Sequence, residues 1–277
     1  MSLLIGVLGP EGTFSEKAAK RFDPQASLRY FRDFEEVIAA VEGGEVDRGV
    51  VPLENSLEGS VGMTLDSLLS RDVKITGEIN LAVRHCLLGT GRAEEVKVIL
   101  SHPQALAQCR SYIKRNFPEA ELRTTGSTSH AARLAGEFSE MAAIADAETA
   151  ERYGLSVIGR NVQDSDQNVT RFAVVGREAA GPSGRDKTSL AVYLERAAPG
   201  ALWEVLGEFA KRKINLTKIE SRPSKRGLGD YYFFIDLEGH VSDPLVEEAL
   251  ARIRERAAMT KVLGSYPRTD LSDNSER

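Results

Sequence analysis

The sequence predicts an α/β protein in which two α/β lobes face a cleft and a smaller βαββαβ unit follows them. Three observations carry that expectation. Short apolar runs alternate with helically spaced apolar residues as far as Val175, the pattern of α/β sheets. The stretch Val73 to Leu88, which reads as long strands, divides this part, and the same alternation starts again beyond it. A Gly, Pro and charge-rich segment, Glu178 to Lys187, then reads as a linker before a strand–helix–strand–strand–helix–strand order, which is the ferredoxin-like pattern.

Leu3 to Leu8 reads as the first strand, Phe14 to Phe22 as a helix and Ser27 to Phe31 as a strand. Phe34, Val37, Ile38 and Val41 fall at helical spacing and give one apolar face. Gly49 to Leu53 is a buried strand, followed by a helix around Met63 to Leu69. Val73 to Leu88 predicts long strands that cross into the second lobe. That lobe reads as strand Val96–Leu100, helix Pro103–Asn116, strand Glu121–Thr125, helix Ser129–Gly136, strand Ala142–Ala145 and helix Ala147–Tyr153. The chain is expected to return through Val157-Ile158 and the strand Phe172–Val175. Lobe one then spans about 1–80 and 156–178, and lobe two about 81–155. The last unit, 188–266, reads as strand Thr188–Leu194, helix Ala201–Lys211, strands Leu216–Pro223 and Tyr231–Leu237, helix Pro244–Ala258 and strand Lys261–Tyr266. The polar tail 267–277 is expected to be disordered.

Composition excludes several functions. The 277 residues carry a net charge of -5 and no polybasic arm, which argues against a nucleic-acid partner. Apolar runs are too short to span a bilayer, and the N-terminus lacks a basic leader, so a cytoplasmic protein is expected. Cys86 and Cys109 lack metal-like spacing and read as buried thiols, and four scattered histidines do not suggest zinc. Pro10 to Ser15 contains glycine but is neither a dinucleotide fingerprint nor a phosphate loop. No metal or cofactor is therefore expected.

The chemistry-bearing residues gather at strand ends. Thr13 with Glu16, Asn55 with Glu58, and Ser101 with Gln104 fit the capping-box spacing, and Gly126 to His130 is a further polar helix start. Each follows a strand, so all should lie at the carboxyl edge of a sheet, where helix N-termini favour anions. Glu54 ends an apolar strand and reads equally as an acid or base with a burial-raised pKa, or as a salt-bridge partner. His102 reads as a proton donor or, with better odds, as a solvated helix start. Asn168-Val169-Thr170-Arg171-Phe172 places a hydroxyl, a guanidinium and a ring at a loop-to-strand boundary, a kit for gripping a small organic anion. The plainer reading makes Thr170 a strand former and Phe172 a core residue.

Taken together, Gly9 to Ser15, Val51 to Ser56, Ser101 to Gln104, Thr170 to Phe172, Pro199 to Leu202 and Glu220 to Pro223 are identifiable. The chain resembles prephenate dehydratases with a C-terminal ACT regulatory domain, from about Ile5 to Tyr266. The resemblance implies a catalytic part with two lobes like a periplasmic binding protein. It implies conversion of prephenate to phenylpyruvate in phenylalanine biosynthesis, with Thr170 acting on the departing ring hydroxyl, Arg171 on a substrate carboxylate, and Glu54 in the catalytic set. Thr13, Asn55, Ser56, Ser101, Gln104, Thr128 and Phe172 would line the substrate. Phenylalanine would bind through Gly200, Ala201, Leu202, Asn215, Glu220, Ser221, Arg222 and Pro223, at the junction of paired ACT domains in a homodimer or homotetramer. No mutase-like segment is visible before Met1, so a monofunctional chain is expected. Arogenate dehydratase is the near alternative. A non-catalytic amino-acid sensor is the alternative of a different class, disfavoured because Thr170 and Arg171 are both present.

Overall fold

The computed structural model describes residues 2–194, 199–227 and 229–269. Three sheets organise the chain. The first contains β1 (Leu4–Leu8), β2 (Ser27–Phe31), β3 (Arg48–Asn55), the short β4 (Gly59–Ser60), β5 (Lys74–Ala82) and, returning from far along the chain, β11 (Val169–Gly176). Its order is β2-β1-β3-β11-β5, with β4 hanging on β3. β1 runs parallel to both neighbours, whereas β11 is antiparallel to β3 and to β5. Helix α1 (Phe14–Phe22) covers one face over Ile5, Val7, Val50 and Phe172. Helices α2 (Phe34–Glu42) and α3 (Gly62–Ser70) pack on the other.

The second sheet is ordered β10-β6-β9-β7-β8. It comprises β6 (Cys86–Gly89), β7 (Val98–Ser101), β8 (Glu121–Thr124), β9 (Met141–Ala145) and β10 (Ser156–Gly159), with helices α4 (Pro103–Gln108), α5 (Arg110–Asn116), α6 (Thr128–Ala135) and α7 (Ala147–Tyr153). Two expectations need correction here. Val157-Ile158 does not lead back to the first sheet; it lies in β10, paired with β6 at the edge of the second. The helix expected over Pro103–Asn116 is two helices that meet at Cys109. Asp164 explains the break: its N–H donates to the Gln108 carbonyl at 2.7 Å, and its carboxylate accepts from Ser111 and Tyr112 N–H at 3.0 and 3.3 Å.

The third sheet has the order β13-β14-β12-β15, the ferredoxin-like arrangement expected from the element order. Its strands are β12 (Asp186–Tyr193), β13 (Leu216–Pro223), β14 (Tyr231–Glu238) and β15 (Met259–Pro267). Helices α8 (Ala201–Lys211) and α9 (Pro244–Arg254) cover one face, and the opposite face is buried on the first sheet. Ala191, Phe234, Leu263 and Tyr266 share one core with Val51, Leu53, Leu65 and Ile75. Each large apolar side chain in such a core contributes roughly 1.5–3 kcal/mol relative to exposure. The backbones come close enough at Gly264 that a Cβ there would stand 2.1 Å from the Ile75 carbonyl oxygen. Lys261 closes the contact by donating to the Leu68, Leu69 and Arg71 carbonyls at 2.9, 2.9 and 2.6 Å, which caps the C-terminus of α3. The tail expected to be disordered is in part structured: the Thr269 N–H and hydroxyl both bond Glu78, at 3.0 Å. Residues 270–277 of that tail lie outside the described residues.

Candidate active site

The site grows from a two-strand ribbon, β3 beside β11. In register, Asn55 faces Thr170 and Glu54 faces Arg171. Successive side chains on a strand point to opposite faces, so these two cross-strand pairs look in opposite directions. Asn55 and Thr170 turn toward the cleft between the lobes. Glu54 and Arg171 turn toward the third sheet.

On the cleft side the groups are neutral. Asn55 Oδ1 accepts from the Leu57 and Glu58 N–H groups at 3.0 and 3.3 Å. Backbone N–H groups can only donate, so the amide orientation is fixed and Asn55 Nδ2 must donate. It gives one hydrogen to Thr170 Oγ1 at 2.9 Å and the other to Asn168 Oδ1 at 2.8 Å. Thr170 Oγ1 is thus an acceptor within the protein, and its own hydrogen is left to point at a ligand. The half-buried hydroxyl is therefore able to donate. Asn168, only 1% exposed, passes the chain on by donating from Nδ2 to Gln108 Oε1 at 2.8 Å. Gln108 Nε2 donates to Glu58 Oε1 at 3.2 Å, and His85 Nε2 stands 3.0 Å from Gln108 Oε1.

On the other side nearly every group is ionic or bonded to an ion. Arg171 NH1 meets Glu54 Oε1 at 2.8 Å and Asp236 Oδ2 at 2.6 Å, and its Nε lies 2.7 Å from Glu78 Oε2. Its NH2 donates to Tyr266 Oη at 2.6 Å. Ser189 Oγ donates to Asp236 Oδ1 and lies 2.6 Å from Tyr266 Oη, so the tyrosine hydrogen goes to Ser189. This closes a ring from Arg171 through Tyr266, Ser189 and Asp236 back to Arg171. Lys187 binds Glu78, and Lys218 binds the second oxygen of Glu54 at 2.7 Å. Burial works against the Arg171 charge, but Tyr266, Asp236, Glu78 and Glu54 outweigh it and keep the guanidinium protonated. Burial likewise acts to raise the Glu54 pKa, but Arg171 and Lys218 hold it at about 2.

Five expected residues take roles other than, or narrower than, those expected. Arg171 is 7% exposed and enclosed by the Glu54, Glu78 and Asp236 carboxylates, so in this arrangement it does not meet a substrate carboxylate. Glu54 is the salt-bridge partner, not an acid with a raised pKa. Phe172 is 2% exposed, in the core beneath α1. Ser101 is fully buried and donates to the Ile144 carbonyl at 2.6 Å; the cap of α4 is His102, whose Nδ1 accepts from Gln104 N–H. Asn55 forms a turn ahead of β4 and not a helix cap, because α3 starts later, at Gly62.

The remaining expected residues are placed as follows. Thr13 caps α1, accepting from Glu16 N–H, and donates to the Leu8 carbonyl at 3.0 Å. Ser56 joins the two strand ends, donating to the Gln167 carbonyl at 2.7 Å and accepting from Val169 N–H at 3.0 Å. Gln104 is half-buried on α4, and Thr128 is the first residue of α6, capped by Ser127. Ser129 Oγ donates to the Gly12 carbonyl at 2.6 Å and so brings the starts of α6 and α1 together across the cleft. Next to them lies a cavity of about 60 Å³, lined by Thr13, Phe14, Lys17, Asp146 and Arg152 among others. The lobes are clasped around it by Lys17–Asp146 at 3.1 Å and Arg152–Glu16 at 2.7 Å. Burial favours the neutral form of Glu16, but Arg152, Lys20, the Gly12 N–H and Tyr30 hold its pKa at about 2.

The proposed effector residues are also divided by strand alternation. Glu220 meets Ser60, and Arg222 reaches Asp66 at 3.3 Å while lying against Gly62, all in the first lobe. Asn215, Ser221 and Pro223 are exposed, as is Gly200 at the start of α8, whose φ of 90° suits glycine. Ala201 and Leu202 are half-buried in the first turn of α8, and the neighbouring Trp203 is 76% exposed.

Reading the sequence residue by residue missed Gln108 and His85, and named Asn168 ahead of Thr170 without giving it a role. One signal was available: Gln108 lies four residues after Gln104, on the same face of its helix. Among the described residues no group of three or more His, Cys, Asp and Glu side chains could hold a metal ion, and no helix is long and apolar enough to cross a membrane.

Such an arrangement defines a class of protein: a two-lobed α/β fold whose cleft presents a positioned hydroxyl donor, with a ferredoxin-like domain buried against the back of the same strands. Comparison with known proteins narrows it. The prephenate dehydratase family model matches residues 5–180 and the ACT domain model residues 188–255. The bifunctional chorismate mutase/prephenate dehydratase of Aquifex aeolicus is 42% identical over 277 residues, 97% of this chain and 75% of that protein. The prephenate dehydratase of Methanocaldococcus jannaschii is 40% identical over 93% of this chain and 96% of its own length. The crystal structure of Arthrobacter aurescens prephenate dehydratase in complex with L-Phe superposes with a TM-score of 0.89 at 35% identity, covering 99% of this chain and 92% of that one. The chain belongs to the prephenate dehydratase family and carries an ACT domain at its C-terminus.

Proposed function

We propose that the cleft converts prephenate to phenylpyruvate, with Thr170 as the group that acts on the departing hydroxyl. The ring carboxylate leaves as carbon dioxide, and its bonding pair moves into the ring. The ring C–O bond breaks, its pair departs with the hydroxyl, and a proton completes the water. Aromatisation drives the reaction, so the protein has to orient the substrate and stabilise charge on the leaving oxygen. Thr170 donates a hydrogen bond to that oxygen. A threonine hydroxyl is a weak acid, so the proton that completes the water comes from solvent.

The observation that carries this reading is the Asn55 Nδ2 to Thr170 Oγ1 bond of 2.9 Å, which commits the hydroxyl oxygen as acceptor and frees its hydrogen. With Arg171 engaged elsewhere, the substrate carboxylates fall to the N-terminal turns of α1 and α6, whose N–H groups favour anions. A cavity of about 60 Å³ holds a few water molecules and not a ring-bearing dicarboxylate.

L-phenylalanine is the effector we assign to the ACT domain, at the α8 start and the exposed residues of β13. Support comes from the phenylalanine complex of the similar Arthrobacter enzyme and from the direct contact of β13 with the first lobe through Lys218, Glu220 and Arg222. Pairing of two ACT domains would cover the exposed Trp203 and Ile219. The test is phenylpyruvate formation by the purified chain, with and without phenylalanine. Turnover of arogenate in preference to prephenate would move the assignment to arogenate dehydratase. Phenylalanine binding without turnover of either would make the chain a sensor.

A further inference from the structure

The polarity of the amide chain in the cleft can be followed one step beyond Thr170. Two backbone N–H groups fix Asn55, which must then donate to Asn168 Oδ1. Asn168 has only its Nδ2 left for Gln108, so the Gln108 atom it meets is Oε1, an acceptor. The Gln108 Nε2 donation to a Glu58 carboxylate oxygen agrees, since an ionised carboxylate can only accept. His85 Nε2, 3.0 Å from the same Oε1, must therefore carry the imidazole hydrogen. Its Nδ1 is then bare, and it is buried without a partner.

His85 is only 2% exposed and has contacts in both lobes. It follows β5 on the segment that crosses between the lobes. Its ring meets Phe14, next to Thr13 at the start of α1, edge to face at 6.2 Å. Its N–H donates to Gln163 Oε1 at 2.9 Å, and its carbonyl accepts from Val162 N–H at 2.9 Å, both on the returning chain. Its Nε2 reaches Gln108 on α4 of the second lobe.

We propose that His85 is a positioning residue for the reaction at Thr170. Its Nε2–H holds the Gln108 amide in the one orientation that can accept from Asn168. That keeps Asn168 Oδ1 turned to Asn55, and so holds the Asn55 amide, already oriented by the Leu57 and Glu58 N–H groups, in place against Thr170. Because Gln108 belongs to the second lobe and Thr170 to the first, the chain is complete only when the lobes are together. The hydroxyl is thereby oriented as a donor in the closed cleft. This rests on the reading of Thr170 given above.

Three measurements test it. His85→Leu removes the donor at similar size and should lower kcat by about tenfold to a hundredfold with KM little changed, the scale of a misplaced reacting group. His85→Gln restores an N–H at the position of Nε2 and should recover most of that loss. In a double-mutant cycle with Gln108→Leu, the two losses in kcat should be strongly non-additive, because His85 acts through Gln108. Additive losses, or equal losses in His85→Leu and His85→Gln, would overturn the proposal. If His85→Leu does not fold, imidazole nitrogen NMR of the wild-type protein decides, with the His85 signals assigned by their absence in His85→Gln. A hydrogen on Nε2 and a bare Nδ1 are expected, and a hydrogen on Nδ1 would overturn the proposal. The NMR arm needs no turnover, so the expected tautomer in a chain that fails to convert prephenate would refute the proposed function and the positioning role with it, and leave only the hydrogen-bond chain standing.

Discussion

The two faces of the β3–β11 ribbon hold the same number of cross-strand partners and nothing else in common. On the cleft face Asn55 and Thr170 meet at 2.9 Å inside a chain of neutral amides. On the opposite face Glu54 and Arg171 meet at 2.8 Å inside a cluster of Glu78, Asp236, Lys187 and Lys218. A neutral chain can fix the direction of a hydroxyl without competing with an anionic substrate for charge. An ionic cluster suits a contact between domains, because its formation depends steeply on geometry and breaking it is costly. One pair of strands thus carries the chemistry on one side and the attachment of the ACT domain on the other. Adjacent residues in sequence are given to different tasks by the twofold periodicity of a strand.

The largest expected effect is on the ionic face. Arg171→Met leaves Glu54, Glu78 and Asp236 short of their shared cation, and should cost about 3–5 kcal/mol of stability, read by denaturant unfolding. Its effect on KM for prephenate should stay within about threefold. A large rise in KM with unchanged stability would return Arg171 to the substrate. On the cleft face the pattern reverses. Thr170→Ala should lower kcat by about a hundredfold or more and leave unfolding where it was, and near-normal turnover in the folded variant would remove Thr170 from the mechanism.

Acid should separate the faces as well. Glu54 is held at about 2 against an ordinary 4.5. A carboxylate with a depressed folded-state pKa contributes stability that is full above its unfolded pKa and is lost as pH falls through the folded one. The contribution of this pair should therefore decline from pH of about 4.5 toward about 2. Melting temperature followed over that range should fall less steeply in Glu54→Gln than in the wild type, and parallel curves would contradict the assignment. A smaller signal is expected at the ACT domain. Trp203, the sole tryptophan and 76% exposed, should shift its emission to shorter wavelength as phenylalanine binds and ACT domains pair. Unchanged emission at inhibiting phenylalanine would place the effector elsewhere. The smallest effect is none at all: exhaustive chelation should leave turnover intact, because the leaving oxygen is met by a hydroxyl donor and aromatisation supplies the driving force.

Much of the fold was legible because it rests on local pattern. The α1 and α7 bounds, Phe14–Phe22 and Ala147–Tyr153, and the βαββαβ order of the last unit follow from apolar spacing and breaker residues. The break at Cys109 was not legible, because Asp164, far along the chain, makes it. Nor was the pairing of Val157 with Leu88 in β10, which depends on a tertiary partner. At the site, Thr170 and Asn55 stand together as the motifs suggested. Thr170, Arg171 and Phe172 were assigned to a single ligand by treating them as a loop end. The strand in fact begins at Val169, and alternation then sends Arg171 away from Thr170. The chain through Asn168, Gln108 and His85 was beyond reach, since its direction is set by bonds between residues as much as 113 positions apart.

Phenylpyruvate formation by Asn55→Asp tests the central claim most directly. The substitution keeps the shape of the side chain and the oxygen that accepts from Leu57 and Glu58 N–H. It replaces the donor that faces Thr170 with an acceptor, so the threonine hydrogen turns inward and is lost to the substrate. A fall in kcat comparable to that of Thr170→Ala, about a hundredfold, is predicted in the folded protein with the phenylalanine response unchanged, alongside a loss of stability because the new carboxylate also replaces the donor to Asn168 Oδ1. Turnover close to that of the wild type in a folded Asn55→Asp protein would contradict the account, because the direction of the Thr170 hydroxyl would then not matter.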